Sequence, residues 1–162
     1  MKLQSLLLSV AATLSLTACI DTRDPIQTIK SMAYAAKKNN LKDFQATFHK
    51  DVRETLGTQE IMEAIKTDIE SHAPVSVGPV VQYEAEQGYQ GWGFWGDILR
   101  RSHTSLRDDH NVLILGASIQ CAVYMDRLPH SGTCLPSDPN CGKDGYRYVE
   151  SQDCRIIALA MP

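Results

Sequence analysis

The feature that most constrains the fold is a set of four cysteines in the C-terminal half of the chain: Cys121, Cys134, Cys141 and Cys154. Four cysteines allow three disulfide pairings. The outer pair, Cys121 with Cys154, is centred on residues 137–138, which lie in a turn-rich stretch. The inner pair, Cys134 with Cys141, has the same centre. One antiparallel register would place both pairs opposite each other, so we favour this nested pairing in a disulfide-stapled C-terminal hairpin.

The alternative to two disulfides is a structural zinc site. Zinc ribbons and fingers usually contain ligands at the close spacing Cys-x-x-Cys, whereas residues 135–140 separate Cys134 from Cys141. Cys-x-x-Cys is also the usual redox motif, and the sequence does not contain it. We therefore predict no metal and no cofactor.

The N-terminal residues contain the parts of an export signal in their usual order. Lys2 supplies a short positive region, and residues 3–16 form an apolar run. A membrane-spanning helix needs roughly 20 apolar residues, so this run is too short to be one. It leads into Leu16-Thr17-Ala18-Cys19, which resembles the lipobox of bacterial lipoproteins. An ordinary secretory signal or a buried N-terminal helix is the alternative interpretation.

The lipobox resemblance implies that the chain is cut before Cys19 and that this cysteine is lipidated. We therefore expect a signal peptide at residues 1–18, a lipidated N-terminus with a short tether at 19–24, and a single domain at 25–162. In the lipoproteins that the chain resembles, an aspartate directly after the cysteine favours the inner membrane, and here that position is Ile20. The resemblance thus implies a protein held by lipid at the outer membrane and facing the periplasm, where disulfides are stable.

The charge pattern argues against a nucleic-acid partner. The formal net charge is −3, and acidic and basic residues are mixed along the chain. A surface that follows a phosphate backbone needs clustered Lys and Arg. The nearest candidates, Lys37-Lys38 and Arg100-Arg101, are isolated pairs.

The first half of the predicted domain is helical. Asp24-Pro25 provides an N-cap and a proline at the first helical position. A second helix begins after Asn40 and continues to Gly57, and a third extends from Thr58 to Ala73-Pro74. The apolar positions at helical spacing are Ile26, Ile29, Ala33 and Ala36, then Leu41, Phe44, Phe48 and Val52, then Ile61, Ile65 and Ile69.

Strands follow Pro74. The β-like runs are residues 75–77, 80–85, 97–106, 111–126 and 146–161. Gly78-Pro79 divides the first two runs, and Gly116 predicts a bulge that bends the sheet. Helices followed by strands indicate an α+β fold, in which the N-terminal helices pack on one face of a curved antiparallel sheet.

The helix, polar turn and second helix of residues 32–44, MAYAAKKNNLKDF, resemble the opening of NTF2-like domains, and the resemblance covers mainly residues 25–72. It implies a cone-shaped α+β fold. Enzymatic members of that family place acidic or aromatic polar residues inside the cone, and no position of this chain can be matched to them. The resemblance therefore implies a fold and no reaction.

Residues 88–96, GYQGWGFWG, form the most unusual local composition. This segment contains both tryptophans of the chain, separated by glycines. Exposed aromatic side chains here could stack on a sugar, grip a peptide or enter the lipid interface. They could equally fold back and close one end of the sheet. The candidate contacts with a ligand or partner are Tyr89, Trp92, Phe94 and Trp95.

Catalytic patterns are weak. His103, Asp108, Asp109 and His110 could act as acids or bases, but a polar turn between strands explains them better, and His49-Lys50-Asp51 is interpreted in the same way. The sequence contains neither a Gly-x-Ser-x-Gly elbow nor a phosphate-binding glycine loop. We expect a non-catalytic envelope component that binds a partner protein or small ligand. One alternative is an NTF2-like small-molecule-binding or isomerase-like enzyme that uses a cone-shaped pocket. The other is a structural subunit of an envelope complex.

Overall fold

The computed structural model describes residues 20–87, 98–128, 133–135, 137, 141 and 145–162. In these residues the helices precede the strands, as the sequence predicts. The helices are α1 (Pro25–Lys37), α2 (Leu41–Ala46), α3 (Arg53–Leu56) and α4 (Gln59–Ser71). The strands are β1 (Val75–Val77), β2 (Val81–Gln87), β3 (Ile98–Asp108), β4 (Leu113–Arg127) and β5 (Tyr148–Ala160).

The predicted N-caps begin three of the helices. The Asp24 carboxylate accepts a hydrogen bond from the Gln27 amide at 2.9 Å, and Pro25 occupies the first turn of α1. The Asn40 side chain accepts from the Asp43 amide in the same way at α2, and Thr58 caps α4. These side chains satisfy amides that have no partner inside the helix. The starts of the three predicted helices are confirmed.

The predicted second helix divides into α2 and α3: it is wrong between Ala46 and Arg53, and its predicted end at Gly57 is confirmed. The chain leaves the helix at Thr47 because its backbone pairs there with β5. The Ile156 amide donates to the Thr47 carbonyl at 3.0 Å, and the His49 amide donates to the Ile156 carbonyl at 2.9 Å. Phe48 remains fully buried, with its ring edge-to-face against Phe44 at 5.0 Å. The apolar series therefore predicts burial correctly and helical conformation incorrectly.

In the described part of the chain, β1 to β5 pair antiparallel, and the sheet curls into a half-barrel with the helices on one side. The order is β1-β3-β4-β5, and β2 pairs with the other half of β3. The break between β1 and β2 falls at Gly78-Pro79, as predicted. The core lies between α1, α2, α4 and the concave face of the sheet. Its large, fully buried apolar residues are Phe44, Phe48, Ile29, Met32, Met62, Ile65, Ile69, Leu106, Leu115, Ile119 and Ile156.

The predicted bulge at Gly116 is wrong. Gly116 pairs regularly with Ser105 on β3 and with Ala160 on β5. The irregularities lie on either side of it, where the β3 register shifts at Leu106/Arg107 and the β5 register shifts at Ser118/Ile119. In a regular strand successive side chains alternate between faces, yet Ile114 and Leu115 are both buried. The shift at Leu106/Arg107 lets both Ile114 and Leu115 face the core. This requirement explains where the irregularity lies better than the glycine does.

The nested disulfides are confirmed. Cys121 and Cys154 are directly opposite on β4 and β5 with their Cα atoms 3.9 Å apart, and both side chains belong to the buried core. The Cys154 amide donates to the Thr22 carbonyl, so Cys121 faces it as a non-hydrogen-bonded pair, the closer type of antiparallel pair. The second bond joins Cys134 to Cys141, beyond the ends of the two strands.

Gly57 and Gly116 differ sharply in how much space surrounds them. A Cβ at Gly57 would lie 2.5 Å from the Arg53 carbonyl oxygen, whereas a Cβ at Gly116 meets nothing closer than 3.9 Å. We expect Gly57→Ala to lower the free energy of unfolding by about 1–3 kcal/mol, the usual cost of overpacking. Gly116→Ala is the matched control and should change it by less than about 1 kcal/mol. Urea unfolding of both variants tests the contrast, and equal losses would contradict it.

Candidate functional site

The chain is fixed to the domain immediately after the predicted lipidation site. Cys19 itself lies outside the described residues. Thr22 is held on the outer edge of β5, where its carbonyl accepts from the Cys154 amide at 2.8 Å. Its hydroxyl donates to the Asp153 carboxylate, also at 2.8 Å. Residues 21–24 are therefore part of the folded domain, which leaves little of the predicted 19–24 tether free.

Asp21 makes two further sets of contacts at this junction. Its amide donates to Ser31 Oγ at 3.0 Å, and that hydroxyl donates back to the Asp21 carbonyl at 3.1 Å. The Arg23 guanidinium donates to the Asp21 carboxylate at 2.9 and 2.6 Å. These hydrogen bonds lower the pKa of the Asp21 carboxyl and raise the pKa of Arg23. The N-terminal end of the domain thus presents a closed ion pair to solvent.

A groove between α1 and β1 forms a cavity with a volume of about 610 Å³. We call it the α1–β1 groove. It is lined by Ile26, Lys30, Ala33, Tyr34, Lys37, Val75, Ser76, Val77 and Leu106. Its volume falls within the range of roughly 300–1,000 Å³ that is usual for small-molecule sites.

Local sequence explains why the groove forms. Helix α1 buries Ile29, Met32 and Ala36 against the core. Its neighbouring face carries Ala33, whose small side chain leaves space between the helix and β1. On the other side, Val75 and Val77 of β1 are half-buried while Ser76 between them is exposed, as the alternation of a strand requires. The groove therefore has aliphatic walls.

The charged residues that line the groove are both lysines. Helix α1 contains no acidic residue, and the lining of the groove contains Lys30 and Lys37 but no carboxylate or imidazole. Among the described residues, neither lysine has an ion-pair partner. Tyr34 lies between them with half of its surface exposed, and the Lys38 ammonium lies 5.6 Å from the centre of its ring. An apolar groove with two unpaired cations suits an apolar ligand with an anionic group.

The predicted acid/base cluster separates into two parts. Asp108, Asp109 and His110 lie at the turn between β3 and β4, where one Asp108 oxygen accepts from the His110 and Val112 amides. This is the polar turn that the sequence favours. The ligand atoms of the three residues lie within 4.8 Å of one another, but Asp109 and His110 are exposed and Asp108 is already used by the turn.

His103 lies away from that turn on the convex face of the sheet. Its ring stacks on Tyr83 with centroids 4.2 Å apart, and its Nδ1 is 2.9 Å from Ser118 Oγ. A shallow depression of about 280 Å³ adjoins it. The imidazole is thus held by an aromatic ring and a hydroxyl. His49, the other histidine considered, contributes its backbone to the pairing with β5 and has Nδ1 3.4 Å from Asp51.

The aromatic contacts predicted at Tyr89, Trp92, Phe94 and Trp95 lie outside the described residues, so they remain a prediction. The groove, in contrast, was missed in the sequence. Its signal was present in α1, where lysines seven residues apart flank a tyrosine on a helix without acids. The pattern on α1 indicates a groove only when β1 is known to lie beside the helix.

Comparisons with known proteins do not identify this chain: no protein-family model, no curated protein and no solved structure matches it. Within the described residues, the helices are too short or too polar to cross a membrane. The α1–β1 groove and the fixed N-terminal junction are the features from which a function can be inferred.

Proposed function

We propose that the protein is a lipid-anchored component of the outer membrane, facing the periplasm, that binds a small ligand in the α1–β1 groove without catalysing a reaction. The groove carries this proposal. It combines a volume of about 610 Å³ with aliphatic walls and a cationic rim, and sites of this type bind ligands by apolar burial with a few polar contacts for orientation. Because its lining contains neither carboxylate nor imidazole, binding is better supported than acid/base catalysis.

Three observations support the anchor and its location. Leu16-Thr17-Ala18-Cys19 matches the lipobox pattern at each position. The two disulfides fit an oxidising compartment. The ordered contacts of Asp21 and Thr22 place the start of the domain within two or three residues of Cys19, so the domain would be held close to the bilayer.

The fold proposal is that the domain is a variant of the NTF2-like cone. Its support is the order of elements: α1, a polar turn and α2 open the domain, and a curled antiparallel sheet covers the helices afterwards. The aromatic segment of residues 88–96 would be a second contact surface in this proposal, because it connects β2 to β3, which pair through Gln87 and Ile98.

Titration of the purified full-length chain with a neutral apolar fluorophore, N-phenyl-1-naphthylamine, tests the groove. We expect saturable binding, with affinity lowered at least about tenfold by Ala33→Phe, because the new ring occupies the space beside β1. Ala158→Phe, which fills part of the convex depression, is the matched control and should retain the affinity. Ile26→Gln removes apolar surface without filling the groove and should also weaken binding. Absence of binding, or equal binding by all variants, would refute the proposal.

A further inference from the structure

We propose that the ligand of the α1–β1 groove is a long-chain fatty acid, with its acyl chain along the apolar walls and its carboxylate paired with a lysine of α1. This inference rests on the proposed function and names the chemical class of its ligand.

The shape of the groove favours an elongated ligand. It follows α1 from Ile26 to Lys37, a length of roughly 16 Å at 1.5 Å per residue. Along that length it offers Ala33, Val77 and Leu106 as apolar contacts. Burying a hydrocarbon chain against them removes apolar surface from water, which favours binding in proportion to the area buried. An acyl chain can use the whole length of the groove, whereas a compact polar metabolite would leave most of the apolar surface without a contact.

The charges of the groove favour an anionic end on that chain. Lys30 and Lys37 lie on the same side of α1, roughly 10 Å apart along its axis, and have no carboxylate partner among the described residues. Tyr34 lies one turn from each of them, so its hydroxyl can donate to the same carboxylate that a lysine binds. A carboxylate bound by an ammonium and a phenol makes charge-assisted hydrogen bonds, which are stronger than neutral ones.

The proposed anchor supplies a source for such a ligand, because it holds the domain close to a bilayer. Two peptide units separate Cys19 from Asp21, which is fixed to the domain, and two units span at most about 7 Å. The junction contacts Ser31 of α1 and β5, whereas β1 is the strand at the other end of the sheet order, so the groove lies away from the junction on a domain that the lipid holds close to the bilayer. The acyl chains of Cys19 itself would be a competing occupant, but they carry no charge to meet the lysines.

The experiment measures displacement of the neutral fluorophore from the full-length chain by oleate and by oleyl alcohol, which share a chain and differ in charge. We expect oleate to displace it at a concentration at least about tenfold lower, consistent with a charge-assisted contact. The variant Lys30→Gln with Lys37→Gln should lose this advantage while its response to oleyl alcohol stays the same. The control variant Lys42→Gln with Lys50→Gln, two exposed lysines outside the groove, should retain the advantage.

The outcomes separate this inference from the proposed function. If the fluorophore binds but oleate and oleyl alcohol displace it equally, or if the advantage of oleate survives in the Lys30/Lys37 variant, the fatty-acid inference is wrong and the binding function stands. The inference is also overturned if the fluorophore binds Cys19→Ser but not the lipidated chain, since the anchor would then fill the groove. If neither form binds the fluorophore, the proposed function itself is wrong.

Discussion

Replacing Cys121 and Cys154 together by alanine is expected to lower the free energy of unfolding by about 4 kcal/mol. The bond closes a long loop, with a sequence separation of 33 residues, and the loop-entropy relation gives a loss of that size for its removal. Both cysteines are buried at the centre of the core, so the lost sulfur contacts add to the entropic term. Natural domains have about 5–15 kcal/mol of stability in total, so the variant should lose at least about a quarter of it.

The second disulfide provides the matched control for this prediction. Cys134 and Cys141 are only seven residues apart and are half-buried outside the core. Their joint replacement by alanine should cost about 2.5 kcal/mol by the same relation, with little loss of packing. Urea unfolding of the two double variants measures both values. An equal or larger loss for Cys134 and Cys141 would contradict the assignment of Cys121–Cys154 as the core bond.

Local chemistry explains why much of the fold could be predicted from the sequence. Asp24, Asn40 and Thr58 cap helices through amides three residues ahead, so each signal and its target lie in the same short segment. The change from helical to strand periodicity after Pro74 is equally local. The disulfide register could be predicted because symmetry about one turn relates the two cysteine pairs.

The incorrect predictions concern residues whose partners are distant in sequence. Phe48 continues a helical pattern, and only its pairing with Ile156 removes it from the helix. The bulges near Gly116 depend on which side chains of β4 must reach the core, and this is decided by the helices that cover the sheet. The α1–β1 groove forms because β1 pairs with the end of β3 and therefore lies beside α1. The sequence shows the two lysines of the groove, but it does not show that a strand lies next to them.

The second large expected effect is the complete loss of lipid from the chain when Cys19 is replaced. If Cys19 is a lipobox cysteine, as we propose, its thiol carries a diacylglycerol and its new amino group carries a further acyl chain. A serine offers no thiolate for this transfer. One acyl chain gives only marginal membrane binding, and stable anchoring needs more than one. All membrane attachment in this account therefore depends on a single sulfur atom.

Asp21 and Thr22 are fixed to the domain, so an anchor at Cys19 restricts the orientation of the domain at the membrane more than a flexible tether would. Because Thr22 is held by Asp153 and Cys154 on β5, we expect lipid at Cys19 to keep the β5 edge of the domain close to the bilayer. If Cys19 carries no lipid, nothing orients the domain at a membrane, and the bilayer is no longer a nearby source of the ligand.

Incorporation of radiolabelled palmitate into the chain in growing bacterial cells tests the anchor most directly. We expect label in the wild-type chain, no label in Cys19→Ser, and full label in the variant that lacks Cys134 and Cys141, which controls for the loss of other cysteines. Continued labelling of Cys19→Ser, or an unlabelled wild-type chain, would contradict the account.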